Sequence, residues 1–333
     1  MSELTEQPVR LGVVGLGYWG PNIARNFAAI GGCELRWLCD SDAAARDRLA
    51  ASFPGARATG ELDRLLEDEE LDAVVLATPV PTHAELAVRV AQAGKHCFVE
   101  KPLATNVVDA QAAVAAAESA GRLLMVGHLL EYHPAVARLK QLIDEGELGS
   151  LYYLYGNRLN LGKLRADENA LWSLGAHDVS VVLHLIDEEP RECIAQGASY
   201  VREGVEDVVF CSLRFPSGIV AHLHLSWLDP HKERRLTVVG SRRMATFDDM
   251  LAEGKLAVYD KGFDEDARSP SGTSYHTRSG DVFSPRISDA EPLRLECEHF
   301  VECVRSGQTP RSDGHSGLRV VRVLEALQQS LER

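Results

Sequence analysis

Val13-Val14-Gly15-Leu16-Gly17-Tyr18-Trp19-Gly20 closes an apolar stretch and opens a segment patterned as a helix. A strand, a G-x-G-x-x-G turn and a helix in that order are what a dinucleotide site requires. Gly15 permits the tight turn, Gly17 lets the backbone approach a pyrophosphate, and Gly20 lets helix and strand pack closely. Unpaired N–H groups at the helix start then face the phosphates. Asp40 ends the next apolar run, Leu35-Arg36-Trp37-Leu38-Cys39, twenty residues past Gly20. A carboxylate there accepts both hydrogen bonds of an adenosine ribose diol.

Asp40 also selects among nicotinamide cofactors. A 2′-phosphate beside it would meet a like charge, a repulsion of about 4 kcal/mol at 4 Å and an effective dielectric of 20, less where solvent screens it. Ser41 and Asp42 bring no cation, and Arg46 falls in the following helix. NAD is expected rather than NADP.

Outward from this loop, residues 9 to 127 alternate short apolar runs with helical patterns. Strands are expected over Leu71–Thr78, His96–Glu100 and Leu123–Val126, and helices over His83–Gly94 and Val107–Ala120. Such alternation implies right-handed crossovers and a doubly wound parallel sheet, with ligands beyond the carboxyl ends of its strands. The strand ends Gly15, Asp40, Thr78, Glu100-Lys101 and Gly127-His128 are therefore the positions to read.

The pattern then changes. Pro134–Asp144 reads as a linking helix, Leu151–Leu161 as a strand and Ala170–Ile186 as a helix. Period-two runs such as Ile219–Leu225, joined by Pro216-Ser217-Gly218 and Gly240-Ser241, predict an antiparallel meander between Arg191 and Tyr259. Asp264–Pro292, rich in Ser, Gly, Pro and charge, reads as a long loop, followed by helices over Leu293–Ser306 and Gly317–Leu331. The fold class is thus α/β plus α+β. A Rossmann domain (1–127) precedes a substrate-binding and oligomerisation domain (128–333) with an open-faced, mainly antiparallel sheet and helices on one side.

The 333 residues suffice for two cores. A net charge of −14 argues against nucleic acid or an anionic membrane as the main partner. No apolar run is long enough to span a bilayer, and the acidic first eight residues do not resemble a signal peptide. The seven cysteines form no C-x-x-C pair and mostly lie in apolar runs, as expected of reduced thiols in a cytoplasmic protein. His222 and His224 share a strand face without an evident third ligand, so no metal site is expected.

Glu100-Lys101-Pro102 stands at a strand end, where nicotinamide and substrate would meet. The lysine can stabilise the negative charge left on a hydroxyl that loses its proton. Glu100 can bind ribose or orient the lysine. His177 is the expected general base, because imidazole titrates near neutral pH. Ser173 lies four residues before it, on the same helix face. His128 and Tyr132 follow a strand end and touch cofactor or sugar, or pack in the core; Trp172 walls the cleft or fills the core. Arg158 and Asn160, on one strand face, with Lys163 and Arg165 beyond, suit a phosphate-bearing ligand or a solvated basic loop.

The chain resembles, end to end, the Gfo/Idh/MocA oxidoreductase family, which includes glucose–fructose oxidoreductase and inositol 2-dehydrogenase. The likeness rests on Gly15-Leu16-Gly17-Tyr18-Trp19-Gly20-Pro21-Asn22, Ala77-Thr78-Pro79 with His83, Glu100-Lys101-Pro102, and Leu174-Gly175-Ala176-His177-Asp178. It implies NAD(P)-dependent oxidation or reduction of sugars and polyols. It further implies that Thr78, Pro79 and His83 line the cofactor site and that Lys101 is the catalytic lysine. With the glycine loop and the strand ends, the expected cofactor contacts are Gly15, Gly17, Tyr18, Trp19, Gly20, Asp40, Ser41, Thr78, Pro79, His83, Glu100, Lys101 and His128. Lys101, Arg158, Asn160, Lys163, Arg165 and His177 are the expected substrate contacts. Relatives often carry Asp where this chain has Ser173, which leaves more proton handling to His177 and Lys101, or shifts it to Asp178 or a water. The basic segment looks most like the nucleotide-sugar branch, the UDP-N-acetylglucosamine 3-dehydrogenases and their uronic-acid relatives, which prepare a 3-keto sugar for an aminotransferase. Pairing through the open sheet, as a homodimer or homotetramer, is implied as well.

Overall fold

The computed structural model describes residues 7–162, 168–265 and 274–333. They fall into two compact units, one reaching to Tyr132 and taking in Ala290–Arg322, the other running from His133 to Asp289 and taking in Val323–Arg333.

The first unit is built on six strands, β1 Val9–Val14, β2 Cys33–Cys39, β3 Arg57–Thr59, β4 Ala73–Leu76, β5 His96–Glu100 and β6 Leu124–Gly127. All pair in parallel, in the order β3-β2-β1-β4-β5-β6. Strand order reverses between β1 and β4, the switch point at which open α/β sheets bind ligands. The crossovers carry α1 Gly20–Ala28, α2 Ala43–Ala50, α3 Leu62–Leu66, α4 His83–Gln92 and α5 Val107–Ser119. Helix α1 buries Ile23, Ala24 and Phe27 along one stripe, while Arg25 on the other side pairs with Glu291. Helix α5 starts where the Asn106 side chain accepts a hydrogen bond from the Asp109 amide at 2.8 Å.

The second unit opens with α6 Pro134–Asp144, β7 Leu151–Leu161 and α7 Ala176–Ile186. Strands β8 Glu192–Ala198, β9 Val208–Arg214, β10 Val220–Ser226, β11 Leu228–Gly240, β12 Met244–Asp248, β13 Leu256–Glu265 and β14 Tyr275–Phe283 follow. With β7 they form one eight-stranded sheet, β14-β13-β12-β11-β7-β10-β9-β8, antiparallel except for β7 against β10. Leu154, Ala221, Leu223, Leu225, Cys211 and Leu213 point into the core. Tyr153, Tyr155, Ile194 and Phe210 stay exposed on the sheet. There Phe210 stacks on His224, centroids 4.4 Å apart, which gives that histidine an aromatic partner.

Helices α8 Pro292–Ser306 and α9 Gly314–Leu331 end the chain. Two expectations change here. Asp264–Pro292 is not one long loop, because Tyr275–Phe283 pairs antiparallel with β13 as an edge strand. Nor does the second domain hold everything after residue 128. The apolar stripe of α8 (Leu293, Cys297, Phe300, Val301) lies in the first unit's core, where Phe300 meets Phe27 and Phe98 edge-on at 6.1 and 5.6 Å. An amphipathic stripe fixes which face of a helix is buried, not which sheet buries it. No described helix is long and apolar enough to cross a membrane.

Candidate active site

The glycine loop meets its steric requirements one glycine at a time. Gly15 adopts φ +91°, and a Cβ there would sit 2.5 Å from the Ala77 carbonyl oxygen. A Cβ on Gly20 would come within 2.0 Å of the Gly15 oxygen, whereas one on Gly17 meets nothing within 4 Å. The first and third glycines thus serve chain packing, and the second leaves space for a ligand. Tyr18 is 92% exposed at the loop tip. Asp40 is held at the end of β2: its carboxylate accepts from the Leu16 amide at 2.6 Å and the Asp42 amide at 2.9 Å. These residues fit a dinucleotide, with an open cradle at Gly17 and a carboxylate beyond the next strand.

The expectation that no cation stands beside Asp40 is corrected. Arg46 does lie on α2, but its guanidinium folds back to donate to the carbonyl oxygens of Asp40 (2.6 Å) and Ser41 (3.0 Å). One helical turn after the N-cap, a long side chain can reach the carbonyls that precede the helix, a geometry that linear spacing hides.

His83 joins the ends of β4 and β5. Its Nε2 lies 2.8 Å from the Thr78 carbonyl oxygen and its Nδ1 2.8 Å from that of Pro102. Burial lowers its pKa, and the neutral ring donates to one carbonyl at a time. Thr78 is tied in turn to Thr82 at 2.8 Å through its hydroxyl. The Glu100 carboxylate accepts from the Lys101 amide at 3.2 Å and from the Trp19 indole. Desolvation pushes it up to about 7, against the opposing pull of Lys101. His128 is buried with neither ring nitrogen hydrogen-bonded, and burial, aided by Lys101, brings it down to about 3. It is a neutral imidazole throughout the working pH range.

In the second unit, a single π-helical turn, Leu171–Gly175, precedes α7, in place of the continuous α-helix expected from Ala170. Such turns insert a residue into the helical ladder and recur at functional sites. Ser173 is buried in this turn, and His177, half-exposed, follows on α7. The Ser180 hydroxyl donates to the His177 carbonyl oxygen at 2.9 Å. Arg158 does not stand open to a ligand. It is 9% exposed and donates two hydrogen bonds to Asp178, the second at 3.2 Å from Nη2 to Oδ1. A guanidinium on the helix-covered face of β7 needs a carboxylate, and the residue after His177 supplies it. That also engages Asp178, the alternative proton acceptor. Asn160 is half-buried, its Oδ1 enclosed without a hydrogen-bond partner. Trp172 is half-buried, with its amide donating to Asn169. Lys163 and Arg165 lie outside the described residues.

Beyond the misplaced reach of Arg46, sequence reading missed two charged groups: Glu131 and Glu296. Glu131 is 2% exposed in the turn after β6, pushed up to about 8 by burial against the counteracting charges of Arg311 and Arg319. Glu296 lies in the apolar stripe of α8.

The parallel sheet, its glycine loop and Asp40 define an NAD-binding Rossmann oxidoreductase unit joined to a second α+β unit. Family models agree on both parts. Residues 9–128 match the oxidoreductase family NAD-binding Rossmann fold, and residues 136–246 match the Gfo/Idh/MocA C-terminal domain. The chain belongs to the Gfo/Idh/MocA oxidoreductase family. A solved oxidoreductase described as putative, from Magnetospirillum magnetotacticum, is 32% identical with TM-score 0.84, covering 96% of this chain and all of that one. The UDP-N-acetylglucosamine 3-dehydrogenase of Acidithiobacillus ferrooxidans is 29% identical over 94% of each chain. The scyllo-inositol 2-dehydrogenase (NAD(+)) of Bacillus subtilis is 26% identical over 92% of this chain and 89% of its own.

Proposed function

We propose that this protein uses NAD to oxidise the 3-hydroxyl of a UDP-linked N-acetylated sugar, giving a 3-keto sugar suited to later transamination. The observation that carries this reading is full-length likeness to a UDP-N-acetylglucosamine 3-dehydrogenase with Glu100-Lys101-Pro102 and His177-Asp178 in place. When bound, NAD supplies the hydride acceptor. Lys101 stabilises the oxygen of the reacting carbinol as its proton leaves, and His177 takes that proton. Glu100, engaged by the Lys101 amide and the Trp19 indole, fixes the turn that carries the lysine. Thr78, Pro79, His83 and His128 line the nicotinamide end of the site, and Tyr18, Trp19 and Ser41 its phosphate and ribose end. Asn160, with Lys163 and Arg165, is assigned to the sugar nucleotide. The enzyme acts in the cytoplasm as a homodimer or homotetramer paired through the exposed Tyr153, Tyr155, Ile194 and Phe210 face.

A second reading, oxidation of a free polyol such as inositol, draws support from the engagement of Arg158 by Asp178, which takes one cation away from a phosphate. Absorbance at 340 nm with NAD and a panel of UDP-N-acetylglucosamine, its uronate and myo-inositol separates them. NADH formation with the UDP-sugars, inhibited by UDP, is expected. Turnover of inositol alone, unaffected by UDP, would overturn the nucleotide-sugar assignment.

A further inference from the structure

The first unit encloses a second acid, under the influence of Glu100, that the proposed chemistry does not use. Glu296 enters from α8 fully enclosed (0% exposed), and neither of its carboxyl oxygens has a hydrogen-bond partner. The charges that act on it are both acidic: Glu100 at the end of β5 and Glu131 in the turn after β6. Tyr132 of that turn and Cys297 of its own helix also face it, and burial raises both. Lys101 acts on Glu100, while Arg311 and Arg319 act on Glu131. Among the described residues, the cations of the strand and helix packed on α8 are engaged elsewhere: Arg10 of β1 pairs with Glu34 and Glu70, and Arg25 of α1 with Glu291. A carboxyl with no donor and only like charges around it keeps its proton.

On the reading above, on which this step rests, the nicotinamide lies at the carboxyl edge of β5, beside Glu100. Oxidised nicotinamide carries a positive ring charge; the reduced ring does not. We infer that Glu100 and Glu296 together hold a proton that the oxidised cofactor displaces: NAD+ binding removes one proton from these two acids, and NADH binding leaves it in place. The O–H bond of the acid breaks, its electron pair stays on the carboxylate, and the proton passes to solvent. No oxidant or reductant takes part. The buried acids thereby act as a counter-charge that favours the oxidised form, and NAD+ affinity rises with pH while NADH affinity does not.

Calorimetric titration of the full chain at pH 7, in buffers of different ionisation enthalpy, reads the released protons directly. On the order of half a proton per NAD+ bound is expected, and none for NADH. Glu296→Gln, which keeps the shape of the neutral acid, should lose most of that release while its circular dichroism stays native. Equal release by the two nucleotides, or unchanged release in a folded Glu296→Gln protein, overturns the inference and leaves the cofactor site standing. Failure of both nucleotides to bind overturns the cofactor reading and this inference with it. Should the variant not fold, the wild-type difference between NAD+ and NADH decides alone.

Discussion

The pairing of Arg158 with Asp178 makes a sharp prediction, because the same arginine can be read as a phosphate ligand or as an internal strut. Both side chains are about one-tenth exposed, and the guanidinium gives two donors to one carboxylate. Removing one partner of a buried ion pair costs about 3–5 kcal/mol, since the survivor keeps its charge without its partner. Removing both leaves neutral side chains and costs much less. Asp178→Asn and Arg158→Met should therefore each destabilise the protein by ~3 kcal/mol or more, and the double variant by less than the two together. Urea unfolding followed by far-ultraviolet circular dichroism measures this cycle. The coupling should exceed 1 kcal/mol, above the scatter expected for independent sites. If Arg158→Met unfolds like wild type but loses affinity for UDP, the strut reading is wrong and the arginine belongs to the ligand.

Two glycine substitutions separate packing from binding. Gly20→Ala drives a Cβ to within 2.0 Å of the Gly15 oxygen and should destabilise by about 3 kcal/mol, seen as a lower melting temperature without ligand. Gly17→Ala meets nothing and should melt as wild type, yet bind NAD roughly tenfold more weakly or worse by fluorescence titration, since its methyl enters the phosphate cradle. Lys101→Ala should abolish NADH formation and spare NAD binding; undiminished turnover would remove the lysine from the mechanism. Asp40→Ala, with the Arg46 guanidinium already beside residues 40 and 41, should narrow the preference for NAD over NADP by a factor of ten or more. The buried acids make stability pH-dependent. Glu131, lifted from 4.5 to about 8, binds in the folded state a proton that the unfolded chain releases near pH 4.5. Stability should therefore fall as pH rises from about 5 to 8, by at most ~4 kcal/mol, and Glu131→Gln should flatten the slope in urea titrations.

Much of this molecule was legible because its decisive signals are local. The glycine loop and Asp40 are fixed by spacing, and α6, α4 and β7 by periodicity and by their Pro and Gly punctuation. Strand β14 was hidden because Tyr275–Phe283 is exposed on both faces and rich in Ser, Gly and charge. It is a strand only because β13 offers it a free edge, and no apolar alternation marks such a segment. The pairing of Arg158 with Asp178 was hidden for a related reason. Alternation says that a strand residue shares a face with its second neighbour, but whether that face looks at solvent or at a helix depends on elements far along the chain.

Glu296 is the instructive case, since its signal was present and went unread. It stands three residues after Leu293 and four before Phe300, inside the apolar stripe of α8 rather than on the opposite face. A carboxylate at such a position would cost the helix its burial energy unless it is paired or neutral. Lys101 acts on Glu100, and Arg311 and Arg319 on Glu131, whereas the charges acting on Glu296 are acidic. An acid placed within a hydrophobic stripe, next to the sheet edge that would receive a positively charged ring, is therefore a functional clue of the same kind as the glycine loop. It becomes readable only when the helix is assigned to the unit whose core it enters, and that assignment is what linear order conceals.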